Sequence, residues 1–105
     1  MESQVTTRED VIERILEQRE RLASLGVTSV GLFGSFVRGA HSVSSDIDLL
    51  VEFTPEKHTF DNFMDVSFLL EEILGRRVEV VTPEGLSPHI GPHILKEVVR
   101  VPVAA

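Results

Sequence analysis

Two aspartates, Asp46 and Asp48, stand at the start of the apolar segment from Ile47 to Phe53. That segment predicts a buried strand, and aspartate is a disfavoured residue in strands. Side chains two residues apart on a strand lie on the same face, so the two carboxylates should repel each other unless a positive partner is present. A divalent metal ion is such a partner, because Mg²⁺ commonly binds one or two carboxylates together with substrate phosphates.

A Gly34-Ser35 turn precedes Asp46, with ten residues between them. Glycine allows backbone N–H groups to approach a phosphate, and the serine hydroxyl adds a donor. Arg38, one helical turn further on, is a candidate charged donor to a phosphate oxygen, although pairing with an acidic residue is an equal alternative. The aspartates could instead form a solvated strand end, and Gly34 and Ser35 a simple turn and helix cap.

The composition limits the partners of such a site. Ten Lys and Arg against 17 Asp and Glu give a formal charge of −7, which disfavours the broad basic surface that holds DNA or RNA. The chain has no cysteine, which excludes thiolate metal sites and cysteine nucleophiles, and no tyrosine of its own to modify. No basic-apolar leader or membrane-length apolar run is present, so we expect a cytoplasmic protein.

The rest of the chain must supply the elements that position these residues. Apolar residues recur at helical spacing over residues 7–25, after a Thr6-x-x-Glu9 capping box, and over residues 60–74, which Gly75 ends. The 105 residues suffice for one domain, 1–105, of the α+β class with a small central sheet. The other predicted elements are strands at 27–33, 47–53 and 77–82, a helical turn at 35–39, a loop at 85–93, a short helix at 94–99 and an edge strand in the C-terminal VRVPVAA.

The combination Gly34-Ser35, ten residues, then Asp46-Ile47-Asp48 matches the Gly-Ser-x10-Asp-x-Asp signature of the polymerase-β-like nucleotidyltransferase superfamily. The wording GSFVRG, SDIDLLVEF and RRVEVVTPEGL resembles the minimal nucleotidyltransferase (MNT) family of prokaryotes, over about residues 5–100. The resemblance implies a mixed β-sheet flanked by helices. It also implies that Gly34 and Ser35 hold a nucleoside triphosphate such as ATP, and that Asp46 and Asp48 bind two Mg²⁺ ions.

Family members usually carry a third carboxylate on the strand after the long helix, commonly an aspartate. This sequence has Glu79 there, and the resemblance implies that Glu79 binds the second metal and favours deprotonation of the attacking hydroxyl. Glutamate is longer by one methylene, which displaces the carboxylate by about one bond length, whereas catalytic groups tolerate about 0.5 Å of error. The longer side chain therefore either reduces the activity or adopts a rotamer that restores the position of the carboxylate.

MNT proteins typically act beside a HEPN-domain RNase toxin, as its antitoxin. The resemblance therefore implies a Mg²⁺-dependent protein adenylyltransferase that transfers AMP from ATP to a tyrosine of that toxin, in a hetero-oligomer with it and without direct nucleic-acid binding. The acidic charge suits a basic, RNA-binding partner. Two alternatives are a pseudoenzyme that neutralises the toxin by binding alone and a small-molecule adenylyltransferase, which normally needs a further domain for its acceptor.

Overall fold

The structure, a computed structural model, describes residues 4–103. Residues 1–3, and residues 104–105 of the predicted C-terminal strand, lie outside that range. The strands of the described part are β1 (Val27–Phe33), β2 (Ile47–Phe53), β3 (Val78–Val81) and β4 (Val99–Pro102). They form one mixed sheet in the order β3-β2-β1-β4, in which β1 is antiparallel to both neighbours and β2 is parallel to β3.

Helices flank this sheet, so the expected α+β class with a small mixed sheet is confirmed. A hydrophobic helix face packs on each side of it. The helices are α1 (Arg8–Glu17), α2 (Arg19–Ser24), α3 (Ser35–Arg38), α4 (Phe60–Leu74) and α5 (Gly91–Glu97). Within residues 4–103, every helix is too short or too polar to span a bilayer.

The predicted helix over residues 7–25 is wrong in one respect, because it is two helices. Gln18 has φ −108° and ψ 17°, which ends α1, and α2 starts at the next residue. The apolar positions keep their helical phase across Gln18, so the pattern could not reveal the interruption. The N-cap is Thr7, not Thr6: its side chain accepts a hydrogen bond from the Asp10 N–H at 3.1 Å.

The second half of the chain follows the predictions more closely. Helix α4 and its glycine stop lie where they were predicted, with Gly75 in the left-handed conformation. Strand β3 is one residue shorter at each end than predicted. Helix α5 starts at Gly91 and ends at Glu97, so the predicted helix over 94–99 was placed too late, and Val99 belongs to the edge strand β4.

The two faces of the sheet are covered unequally. One face carries the main core, where α1, α2 and α4 bury residues such as Ile15, Leu22 and Leu70 against Leu32 and Leu49. The opposite face carries a small cluster of three buried residues, which α5 covers in part; they are Phe33, Leu50 and Ile94. Because side chains alternate along a strand, Asp48 and Leu50 lie on this second face.

Candidate active site

Asp48 and Glu79 lie opposite each other in the parallel register of β2 and β3. Burial first, and then the charge of Glu79 and hydrogen bonding with it, raise the pKa of Asp48 to about 6. Glu79 therefore lies beside the aspartate strand, where the resemblance to the family predicted a third carboxylate.

Asp46 stands just before β2 and is exposed. Its negative charge also raises the pKa of Asp48, while the nearby positive charge of Arg38 lowers it. The structure thus brings Asp46, Asp48 and Glu79 together at one end of the sheet, with Arg38 within electrostatic range. The cluster has three carboxyl groups and one nearby guanidinium, and this excess of acidic groups favours binding of a cation.

Gly34 is packed directly against Asp48. Its φ is +79°, a conformation that favours glycine, and a Cβ built on it would lie 2.1 Å from Asp48 Oδ2. No other residue fits this position unless the carboxylate moves. The Gly-Ser turn and the aspartate strand are therefore one structural unit.

The turn continues into α3. The backbone N–H groups of Val37 and Arg38 donate to the Gly34 carbonyl at 3.1 and 3.3 Å, so Gly34 is the N-cap and Ser35 the first helical residue. Gly39, with φ +70°, ends the turn. Ser35 is half-buried at the start of this turn, beside the glycine whose approach to a phosphate the sequence predicted.

Arg38 pairs with an acidic residue, which is one of the two alternatives that the sequence left open. Its Nη1 donates to Glu97 Oε1 at 2.9 Å and to Oε2 at 3.2 Å. Glu97 Oε2 also accepts the Gly34 N–H at 3.0 Å. Sequence reasoning missed Glu97, because nothing in the sequence shows that β4 pairs with β1 and so brings the end of α5 to the turn.

Arg76 is a second residue that sequence reasoning missed. It is only 7% exposed, and its guanidinium donates to the backbone carbonyls of Val5, Ser42 and Ser45 at 3.2, 2.7 and 2.6 Å. The same group lies over the Phe36 ring, 4.8 Å from its centroid. Arg76 therefore fixes the loop that leads into Asp46 against the helix that follows the Gly-Ser turn.

The opposite side of the Phe36 ring is also occupied. His41 stacks on it with 3.9 Å between ring centroids and an interplanar angle of 7°, and its Nε2 lies 2.6 Å from the Thr6 carbonyl. Phe36 is fully buried between the two side chains. No local sequence signal identifies Arg76 or His41, since the contacts of Arg76, and that of His41 with Thr6, join segments far apart in the chain.

The carboxylates do not form a complete metal cage. Within residues 4–103, no group of three or more His, Cys, Asp or Glu side chains is arranged so that it could hold a metal ion. Asp46 and Asp48 nevertheless fit Mg²⁺, because this ion commonly takes one or two protein carboxylates and completes its shell with water and substrate phosphates.

A mixed sheet with acidic residues on adjacent strands, closed by a Gly-Ser turn, is the arrangement expected of a domain that binds a phosphate compound. The sequence profile of the family described as "Nucleotidyltransferase domain" matches residues 12–101. The chain therefore belongs to the nucleotidyltransferase domain family, and it is a nucleotidyltransferase.

Individual relatives agree with this assignment. The chain is 39% identical over 92 residues to the protein adenylyltransferase MntA of Thermococcus cleftensis, a match that covers 86% of this chain and 92% of that protein. A solved structure described as a minimal nucleotidyltransferase has 34% identity and a TM-score of 0.69, and covers 84% of this chain and 93% of its own.

A more distant structure shows the same fold. It is a crystal structure of a toxin-antitoxin with AMP-PNP, with 18% identity and a TM-score of 0.61, and the match covers 79% of this chain and 71% of that one. The sequence resemblance to the MNT family is therefore confirmed by both kinds of comparison.

Proposed function

We propose that this protein is a Mg²⁺-dependent protein adenylyltransferase that transfers AMP from ATP to a tyrosine of a HEPN-domain RNase toxin, and so acts as its antitoxin. The observation that carries the proposal is the pairing of Asp48 with Glu79 across β2 and β3, beside Asp46. It supports Glu79 as the third carboxylate despite its extra methylene.

The nucleotide and the metal have different ligands in this proposal. Gly34, Ser35 and Arg38 bind the triphosphate through a backbone N–H, a hydroxyl and a guanidinium. Asp46 and Asp48 would hold Mg²⁺, with Glu79 as a third carboxylate once substrate phosphates complete the shell of the ion. The ion supplies charge stabilisation of the phosphoryl oxygens when bound. The side chains of Asp48 and Glu79 lie on the incompletely covered face of the sheet, where an outside acceptor can reach them.

The transfer is a displacement at the α-phosphorus of ATP. The tyrosine oxygen forms a bond to that phosphorus, the bond to the bridging oxygen breaks, and pyrophosphate leaves. The phenolic proton passes to the carboxylate of Glu79 and then to solvent. An added AMP group would bring negative charge and bulk to the toxin, which would hinder the approach of RNA.

The relatives support the choice of a protein acceptor. The Thermococcus cleftensis relative carries the name protein adenylyltransferase, and it aligns over most of both chains. The more distant structure that shares the fold is that of a toxin-antitoxin with AMP-PNP. The formal charge of −7 and the absence of tyrosine in this chain suit a basic partner that carries the modified residue.

The test is transfer of label from ATP labelled at the α-phosphate, with Mg²⁺ and the co-encoded HEPN protein. We expect label on the HEPN protein. In the Asp48→Asn variant the rate of label transfer should drop at least about 100-fold, because metal binding supplies several kcal/mol of transition-state stabilisation. Glu52→Gln, which removes an acid at the other end of β2, is the matched control and should retain activity.

The outcome separates the enzyme from its alternatives. A stable complex of the two proteins without label would show that this chain neutralises its partner by binding alone. Label on a small-molecule alcohol, but never on the HEPN protein, would show that this chain is a small-molecule adenylyltransferase.

A further inference from the structure

The Glu97 carboxylate occupies two of the donors that the proposed function assigns to the triphosphate. Its Oε2 accepts the Gly34 N–H at 3.0 Å, and both of its oxygens accept from Arg38 Nη1, at 2.9 and 3.2 Å. A backbone N–H and a guanidinium are the groups that bind phosphate oxygens in proteins. An anionic group of the chain itself therefore stands where a phosphate oxygen would bind.

The strand register explains why Glu97 reaches the turn. Leu32 of β1 pairs with Val99 of β4 at the end of that ladder. Glu97, the last residue of α5, comes two residues before Val99 and so lies beside Gly34. Val98 packs on Gly31, where a Cβ would lie 2.5 Å from Val98 Cγ2. The backbone at Glu97 is thus held in place, and the contact can be released by rotation of the side chain alone.

The negative charge of Glu97 prevents a phosphate from binding while the carboxylate contacts Gly34 and Arg38. The hydrogen bond from Gly34, and then the contacts with Arg38, lower the pKa of Glu97, so the group is ionised at neutral pH. A phosphate oxygen that approached the same N–H would meet a carboxylate of like charge at the same position. The side chains of Arg38 and Glu97 are 59% and 26% exposed, so both can move without unpacking the core.

We propose that Glu97 sets the nucleotide affinity of the site: its carboxylate occupies the phosphate donors of Gly34 and Arg38 and must swing away before a nucleoside triphosphate binds. The proposal rests on the proposed function, which places the triphosphate at the Gly-Ser turn. In the absence of nucleotide, Glu97 keeps the buried N–H satisfied and neutralises Arg38. In part of the population Glu97 occupies the phosphate donors. The apparent nucleotide affinity is therefore lower than the intrinsic affinity of the protein whose Glu97 has swung away.

The experiment compares the wild-type protein with Glu97→Ala and Glu97→Gln by calorimetric titration with a non-hydrolysable ATP analogue and Mg²⁺. We expect Glu97→Ala to bind about 3- to 10-fold tighter, as loss of a partly exposed competing ion pair implies. Glu97→Gln, which keeps the side-chain volume but not the charge, should show a smaller gain in the same direction.

Glu52→Gln is the matched control. Glu52 pairs with Arg100 at 2.7 Å, its side chain is 31% exposed, and it lies on the same sheet away from the turn. Its replacement changes the net charge by the same amount as Glu97→Gln. Because Glu52 does not contact the turn, the affinity for the analogue should stay at the wild-type value. Adenosine, which has no phosphate, should bind equally to all variants.

Three results would overturn the proposal. Glu97→Ala and Glu97→Gln that bind the analogue no tighter than the wild type would show that Glu97 does not compete, while leaving the proposed function intact. An equal gain with adenosine would show that the substitution opens the site in general. Absence of analogue binding by every variant would remove the nucleotide site itself, and with it the proposed function.

Discussion

Asp48 on β2 and Glu79 on β3 are direct neighbours in a parallel register, with their side chains on the same face of the sheet. Two acids in such a position oppose each other's ionisation, and a folded protein gains nothing from that arrangement by itself. The arrangement becomes favourable when a cation binds.

Replacement of Glu79 by Gln should lower the pKa of Asp48. The like charge of Glu79 and its hydrogen bond both raise that pKa, so their loss should bring it below the value of about 6. It should stay above 3.8, because burial is the largest cause and remains. Carboxyl-carbon NMR titration in the presence of a metal chelator measures it. An unchanged pKa in Glu79→Gln would mean that the two groups do not interact.

Replacement of Asp48 by Asn should stabilise the metal-free protein near neutral pH. The folded-state pKa of Asp48 is raised from 3.8 to about 6, so the unfolded chain loses its proton first and the wild type loses stability as the pH rises through that window. Above pH 6 the full penalty is present. A shift of this size corresponds to about 3 kcal/mol, but Asp48 is partly exposed and solvent screens its charge, so we expect Asp48→Asn to be more stable by about 1 kcal/mol, or roughly 4 °C in Tm.

The pH dependence is the control for that variant. Below about pH 4 both states of the wild-type protein are protonated at Asp48, so the difference in Tm should disappear. Thermal melts at pH 3.5 and pH 7.5 with a chelator measure it. A difference that is the same at both values would indicate a packing effect of the amide instead of the buried charge.

Replacement of Gly34 by Ala should abolish nucleotide transfer and destabilise the protein. The new Cβ would lie 2.1 Å from Asp48 Oδ2, and the φ of +79° is unfavourable for alanine. Gly39→Ala is the matched control, since Gly39 has a φ of +70° but a Cβ added there would meet no atom within 4 Å. It should lose only about 1 kcal/mol of stability from backbone strain and keep its activity.

The comparison of the two glycines isolates the contact with Asp48. Thermal melts and label transfer are measured on both variants. If Gly34→Ala transferred label as well as Gly39→Ala does, the packing of the turn against Asp48 would be irrelevant to the chemistry.

Replacement of Arg76 by Ala should destabilise the protein by about 3 kcal/mol, because three backbone carbonyls and the Phe36 ring lose a buried charged partner. Arg76→Lys should recover only part of this loss, since an ammonium group cannot reproduce the planar fork. Denaturant unfolding gives the values. Arg77→Ala, at the exposed neighbouring position, is the control and should change stability by less than about 0.5 kcal/mol.

Local sequence signals predicted the helices and strands whose ends are marked by a glycine. Gly75 ends α4, and the glycine after β1 marks the turn at Gly34, so both elements lie where the sequence placed them. The break at Gln18 and the early start of α5 were missed. At Gln18 the helical phase continues, and at Gly91 the glycine and proline residues that begin α5 also indicate a loop.

The sequence by itself supplied the candidate groups of the site: the Gly-Ser turn and the two aspartates follow a recognisable local pattern, and the family resemblance pointed to Glu79. Only the tertiary structure decided which groups meet. The pairing of β2 with β3 sets Asp48 against Glu79, the pairing of β1 with β4 brings Glu97 to Gly34, and a buried Arg76 joins three distant segments. The physical reason is that strand pairing and burial are contacts between residues far apart in the chain, which no local periodicity records.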